Sequence, residues 1–153
     1  MSIEIIEYED EYASDFRQLN LEWLDKHGLT EEPDLVMLND PRGTILDNGG
    51  VIYLAKAGNE IIGSSALINE HDGVYELAKM AVAVSWRGKG IGKILIEACL
   101  QKARELNAGK ILLFSSSKLQ PAIALYTSYG FKHVEVTNSP FVTADIKMEL
   151  LLV

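Results

Sequence analysis

Six residues, Arg87-Gly88-Lys89-Gly90-Ile91-Gly92, stand between a short apolar run and a long amphipathic one, and that junction restricts the chain more than any other stretch. Upstream, Leu77 to Val84 is apolar and β-prone, as expected of a mostly buried strand. Downstream, Ile91, Ile94, Leu95, Ala98, Cys99, Ala103 and Leu106 recur at helical spacing and predict a single apolar stripe. Three glycines at a strand-to-helix turn let the backbone approach a ligand closely, and the free N–H groups and dipole of the first helical turn favour negative charge. The expected ligand is therefore a phosphorylated cofactor, and Arg87, Lys89 and Lys93 place positive charge around it.

Spacing excludes two common phosphate loops. A Walker A loop and a dinucleotide fingerprint counted from Gly88 both require glycine at position 93, which is Lys93. Counted from Gly90, the fingerprint ends on Leu95 and fails again. A formal charge of −8 argues against nonspecific nucleic-acid binding, which depends on neutralising phosphates with Lys and Arg. It mildly favours a cationic acceptor such as an amine; plain solubility explains it equally well.

Periodicity along the rest of the chain predicts an α+β domain. Ser2 to Tyr8 reads as a strand, followed by a helix with Tyr12, Phe16, Leu19 and Trp23 on one face and Gly28 as its stop. A helix from Thr30 to Asn39 ends before Pro41. Val51 to Ala57 and Glu60 to Asn69 read as strands joined at Gly58-Asn59, a good hairpin dipeptide. Lys110 to Ser115 is a strand, Pro121 opens a helix that Gly130 closes, and strands are expected near Phe131 to Thr137 and Thr143 to Leu151. At 153 residues the chain fits one domain, with no internal repeat or linker.

Arg87, Gly90 and Gly92 resemble the Arg/Gln-x-x-Gly-x-Gly/Ala signature of the GNAT N-acetyltransferase superfamily. Leu125-Tyr126-Thr127-Ser128-Tyr129-Gly130-Phe131 resembles the Leu-Tyr-x-x-x-Gly-Phe ending of that family's last helix, in the expected order and on the expected element. The pairing is more specific than either motif alone. It implies a GNAT-like domain over residues 1–153, with a mixed, mostly antiparallel sheet of about seven strands flanked by about four helices. It also implies acetyl-coenzyme A as co-substrate, a primary amine of a small molecule or peptide as acceptor, and direct attack in a ternary complex. A non-catalytic acyl-coenzyme A sensor is the alternative.

The resemblance assigns the sites residue by residue. The loop Arg87, Gly88, Lys89, Gly90, Ile91, Gly92 and Lys93 is expected to hold the pyrophosphate. Met80, Ala81 and Val82 lie on the strand that in this family hydrogen-bonds pantetheine through its main chain. Tyr126 is the expected acid for the departing thiolate, with a packed helix aromatic as its alternative. Glu76, eleven residues before Arg87, matches the catalytic glutamate of the superfamily's histone acetyltransferases and is the candidate base; its alternative is a solvated strand-end carboxylate.

Three positions depart from the family pattern. Leu119 stands where many members carry a cofactor-contacting Asn, with Ser115, Ser116, Ser117 and Lys118 nearby as possible substitutes. Val84 replaces a common proline, and Thr143 replaces an Arg often found before the last strand. If that Arg recognises an acidic group on the acceptor, this chain must recognise its acceptor otherwise. Trp86, Trp23 and Phe16 read better as core than as cavity walls, and Tyr129 as packing. Cys99, on the apolar stripe, reads as core. His27, His71 and His133 show no metal spacing. The acidic N-terminus lacks the features of a signal peptide and no apolar run is long enough to span a membrane, so a cytoplasmic protein is expected. Relatives suggest a possible homodimer.

Overall fold

The computed structural model describes residues 2–152. β1 (Ile3–Glu7) leads through a short 3₁₀ turn into α1 (Ala13–His27) and α2 (Glu32–Asn39). β2 (Val51–Ala57), β3 (Glu60–His71) and β4 (Val74–Val82) form a meander, and α3 (Ile91–Glu105) follows. β5 (Lys110–Ser115), α4 (Gln120–Ser128), β6 (Lys132–Val134) and β7 (Ile146–Leu151) complete the chain. The seven strands make one sheet in the order β1-β2-β3-β4-β5-β7-β6, antiparallel except for β4 against β5.

Both faces of the sheet are covered, as its alternation of buried residues demands. Leu67, Leu77, Ile111, Leu113 and Met148 pack under Ile96, Cys99 and Leu100 of α3 and Ile123 and Tyr126 of α4. On the other face, Ile52, Leu54, Ala66 and Ala81 meet Phe16 and Leu19 of α1 and Leu38 of α2. Gly28 ends α1 in the left-handed conformation, φ 67°.

Several expected boundaries shift. β3 and β4 reach each other through a turn at Asp72-Gly73, so β4 starts at Val74 instead of Leu77, and Val84 leaves the strand for a 3₁₀ turn over Val84–Trp86. The helix expected from Thr30 starts at Glu32. The α3 stripe is rotated from the expected one: Ile96 and Leu100 are buried, while Ile94 and Leu106 are exposed. β6 covers only Lys132–Val134 and β7 starts at Ile146, so residues 135–145 form a loop. That loop matters below because it borders the site.

Two irregularities in β4 place the site. Pairing with β5 covers only Val74, Tyr75 and Glu76, against Lys110, Ile111 and Leu112, after which the two strands run on unpaired. Against β3, Ala66 pairs with Ala78 and Ser64 with Ala81, so β4 carries one extra residue there. Lys79, with φ 54°, is in the left-handed region within that bulge. The extra residue resets the alternation: Leu77, Met80 and Val82 pack toward α3, whereas Ala78 and Ala81 pack toward α1.

Candidate functional site

A cavity of about 500 Å³ opens where β4 and β5 part. Gly88, Gly90, Gly92 and Lys93 border one end, Met80 and Val82 its flank, and Tyr126 and Glu76 its interior. The loop end is built for an anion. Gly90 is the N-cap of α3 at φ 80° and has no side chain to cap with, and the first helical bond runs from the Ile94 N–H to the Gly90 carbonyl. The N–H groups of Ile91, Gly92 and Lys93 therefore have no partner inside the helix. A Cβ built on Gly88 or Gly90 would meet nothing within 4 Å, so the space above the loop is open. Uncapped donors, a helix dipole and open space suit a pyrophosphate.

The expected cationic rim is only partly aimed at this space. Lys93 borders the cavity, but Lys89 does not; its ammonium lies 5.8 Å from the Trp86 ring. Arg87 also borders the cavity, with its guanidinium 4.5 Å from the Trp23 ring and its Nε donating to the Val82 carbonyl at 3.2 Å. Trp23, expected in the core, is a half-buried wall of the cavity, and Trp86 is another. The reason for Trp23 is positional: it lies one turn past the buried Leu19–Asn20 segment, where α1 overhangs the unpaired end of β4. Phe16 is fully buried, as expected.

The edge of β4 facing β5 beyond Glu76 has main-chain N–H and C=O groups with no strand partner. An extended polar ligand can take the place of the missing strand there. The bulge that shapes this edge is held from behind. The Ser64 hydroxyl donates to the Lys79 carbonyl at 2.6 Å, and the Asn20 side-chain amide donates to Ser64 Oγ at 3.0 Å and to the Phe16 carbonyl at 3.0 Å.

Glu76 is not a solvated strand-end residue; it is buried at the last position of β4 that pairs with β5. Burial pushes its carboxyl up to about 8; Glu70 and Asp34 add to the rise and Lys79 opposes it. Glu70 is the extra residue of an irregularity in β3, on the strand that pairs with β4, and is exposed. Glu70 and Glu76 also border a second cavity on the α2 side of the sheet, so Glu76 stands between the two spaces.

Tyr126 is buried and its hydroxyl makes no hydrogen bond to another described residue, while its ring packs edge-on against Phe131. Burial, with a smaller contribution from Cys99, pushes its phenol up to about 12, so it is neutral at pH 7. Cys99 is fully buried, donates to Ser65 Oγ at 3.2 Å, and is raised to about 12 by burial. Tyr129 is half-buried and donates to Glu97 at 2.8 Å, more than packing alone.

Among the family-pattern departures, Leu119, Ser115 and Ser116 border the cavity. Ser117 is engaged elsewhere: its N–H and hydroxyl donate to Asp145 at 2.7 and 2.5 Å. Thr143 borders the cavity, but its hydroxyl and N–H are held by the Glu31 carboxylate, which also accepts the Val142 N–H at 2.7 Å.

Sequence reasoning missed four residues at this site. Lys79 and Asp34 form an ion pair of 2.6 Å with both side chains 4% exposed, and Phe141 places its ring 5.5 Å from the Lys79 ammonium. Glu70 is the fourth. A lysine inside an otherwise apolar strand was a visible signal for Lys79; Asp34 was hidden as a helix first-turn acid, a role it also plays by accepting the Glu31 N–H at 3.0 Å.

Comparison with known proteins agrees with this geometry. The family model described as "Acetyltransferase (GNAT) family" matches residues 7–131. A relative named uncharacterized N-acetyltransferase YvbK, from Bacillus subtilis, is 32% identical over 102 residues, 65% of this chain and 66% of that protein. The chain spans smaller shares, 34% and 54%, of two further relatives. A GNAT-family acetyltransferase from Staphylococcus aureus Mu50 superposes with a TM-score of 0.91 at 23% identity, covering 99% of this chain and 100% of that one. The PaiA N-acetyltransferase of Thermoplasma acidophilum, solved with coenzyme A, superposes at 0.77 with 18% identity, covering 99% of each chain. With its paired motifs, parted strands and matched family model, the chain belongs to the GNAT acetyltransferase family.

Proposed function

We propose that residues 1–153 act as one acetyl-coenzyme A dependent N-acetyltransferase domain that moves the acetyl group directly to an amine. The observation that carries this reading is a single cavity that joins the uncapped start of α3 to a place bordered by both Glu76 and Tyr126. Acetyl-coenzyme A, when bound, supplies the thioester that is attacked. The α3 N-terminus and Lys93 hold its phosphates, and the unpaired edge of β4 at Met80, Ala81 and Val82 takes its extended arm. A β4 N–H also suits the charge that develops on the carbonyl oxygen, because a fixed main-chain donor need not reorganise.

Glu76 takes the proton from the amine. Burial raises its carboxyl toward the working pH, and a base poised there balances availability against strength. Tyr126 gives its hydroxyl proton to the departing sulfur. Burial disfavours the phenolate, which keeps the proton in place until needed, and the same dry surroundings disfavour a bare thiolate. The new N–C bond forms and the C–S bond breaks, with Glu76 gaining the amine's proton and Tyr126 giving its own to the departing sulfur.

Thiol release from acetyl-coenzyme A across a panel of amines, amino acids and peptides, wild type against Tyr126→Phe, tests the reading. An acceptor whose acetylation the substitution abolishes supports it. Coenzyme A binding with no acceptor in a broad panel favours the sensor alternative.

A further inference from the structure

The acceptor half of the cavity has a distinctive composition. Trp23, Leu24, Leu29 and Phe141 make an apolar and aromatic wall; Asp34 and Lys79 are set into it beside Glu76, and the Arg87 guanidinium lies 4.5 Å from the Trp23 ring at its edge, with its Nε committed to the Val82 carbonyl. A buried ion pair is a poor way to pin a helix to a strand, since an apolar pair of similar size does so as well or better. This one also borders a cavity instead of being sealed in core.

Its hydrogen bonding is incomplete on one side only. Asp34 uses one oxygen on the Lys79 ammonium at 2.6 Å and the other on the Glu31 N–H at 3.0 Å. The Lys79 ammonium has three donors. Asp34 takes one, and the Phe141 ring centroid lies 5.5 Å from the ammonium. Among the described residues no other hydrogen-bond acceptor takes a Lys79 donor. The bulge puts Lys79 on the α1 and α2 side of the sheet, the side on which Asp34 sits, three residues beyond Glu76.

We infer that Lys79, held by Asp34, is a carboxylate-binding residue and that the acceptor is an apolar or aromatic α-amino acid. Its carboxylate meets the Lys79 ammonium, its amine faces Glu76, and its side chain lies on Trp23, Leu24, Leu29 and Phe141. The arrangement also suits the chain's charge. A zwitterion has no net charge to be repelled by a protein of formal charge −8, whereas a simple anion would be. Thr143, the position at which the family pattern led one to look for an acceptor-binding cation, has its hydroxyl committed to Glu31, and Lys79 supplies the cation from the strand instead.

This inference rests on the acetyltransferase reading, and the test separates the two. L-Phenylalanine, L-phenylalaninamide and phenethylamine share a side chain and an amine and differ in the carboxylate. In wild type, kcat/KM for phenylalanine is expected to exceed the other two by at least tenfold, mostly through KM. In Asp34→Leu/Lys79→Met, which removes both charges together, the three values should converge, while an unchanged Kd for coenzyme A certifies the fold. A preference that survives in the double variant, or a wild type that favours the amide or the amine, overturns the inference while leaving the acetyltransferase reading in place.

A binding measurement covers the case of slow chemistry. 3-Phenylpropanoate, which keeps the carboxylate and lacks the amine, should bind the wild-type coenzyme A complex in calorimetry and fail to bind the double variant. Absence of binding to wild type overturns the carboxylate site. Failure of coenzyme A itself to bind would instead bring down the acetyltransferase reading.

Discussion

Ser64 on β3 donates its hydroxyl to the carbonyl of Lys79 on β4 at 2.6 Å, bridging the strands at the point where the extra residue of β4 breaks their pairing. A side chain thus takes over a hydrogen bond that the ladder cannot make, and Asn20 of α1 fixes the hydroxyl in turn. Ser64→Ala leaves a buried carbonyl without its partner, a loss of about 1–3 kcal/mol. We expect chemical denaturation to show that loss and calorimetry to show weaker coenzyme A binding, because the unpaired edge depends on the bulge. Unchanged binding would separate the bulge from the cofactor.

Tyr126→Phe should lower turnover by roughly 10²-fold or more while leaving coenzyme A affinity nearly unchanged, as expected for a lost proton donor. The ring keeps its packing against Phe131, so the fold should not suffer. Steady-state kinetics with binding measured separately decides the matter, and full activity in the variant would remove Tyr126 from the chemistry.

Activity should rise with pH through an apparent value near 8 as Glu76 ionises, and Glu76→Gln should abolish that limb, leaving a slower rate dependent on the amine's own ionisation at more alkaline pH. Because Glu70 raises the Glu76 carboxyl, Glu70→Gln should move the limb toward lower pH. Stability has its own sign. The folded carboxyl holds its proton more tightly than the unfolded one, so its contribution is full below pH about 4.5 and is lost as pH rises through about 8. Glu76→Gln should flatten the decline in melting temperature over that window.

Gly90 and Gly92, two residues apart in the loop, should answer alanine in opposite ways. Gly90 has φ 80°, where an L side chain costs roughly 1–2 kcal/mol, and Gly90→Ala should weaken coenzyme A binding by about tenfold as the loop relaxes. Gly92 lies inside α3, where an added Cβ would meet a Leu125 methyl at an ordinary 3.7 Å, and alanine is the better helix former. Gly92→Ala should therefore keep its affinity and melt no lower than wild type.

Glu31 holds the loop of residues 135–145 against α2 through two main-chain N–H groups and the Thr143 hydroxyl, and these bonds keep its carboxyl below its ordinary value. Glu31→Ala should speed amide hydrogen exchange at Val142 and Thr143 without changing exchange in β7. Equal protection in the variant would mean that the loop is held by its other contacts.

Most of the fold was legible because its elements announce themselves by period and punctuation: Gly58-Asn59 turns β2 into β3, Gly28 stops α1, and the glycine loop starts α3. Asp72-Gly73 is as good a hairpin signal, yet it was obscured by the strand-like residues on both sides. The expected strands ran to Thr137 and from Thr143, but β6 ends at Val134 and β7 starts at Ile146; Glu31 binds the Val142 and Thr143 N–H groups in the loop between them. At the site, Tyr126 and the loop were legible because their roles attach to motifs. Lys79 and Asp34 were not, because nothing local tells a lysine to take a left-handed conformation; that choice is made by Ser64 and Asn20, at 15 and 59 residues' distance along the chain.

The three-residue seam between β4 and β5 has a further consequence for how long the molecule lasts. A sheet joined so briefly at its middle is two half-sheets held by their helices, and a ligand that fills the gap adds the contacts the seam lacks. Such a ligand stabilises the native state by mass action, in proportion to the logarithm of its concentration above Kd. Resistance to proteolysis and thermal inactivation would then follow the supply of the filling molecule.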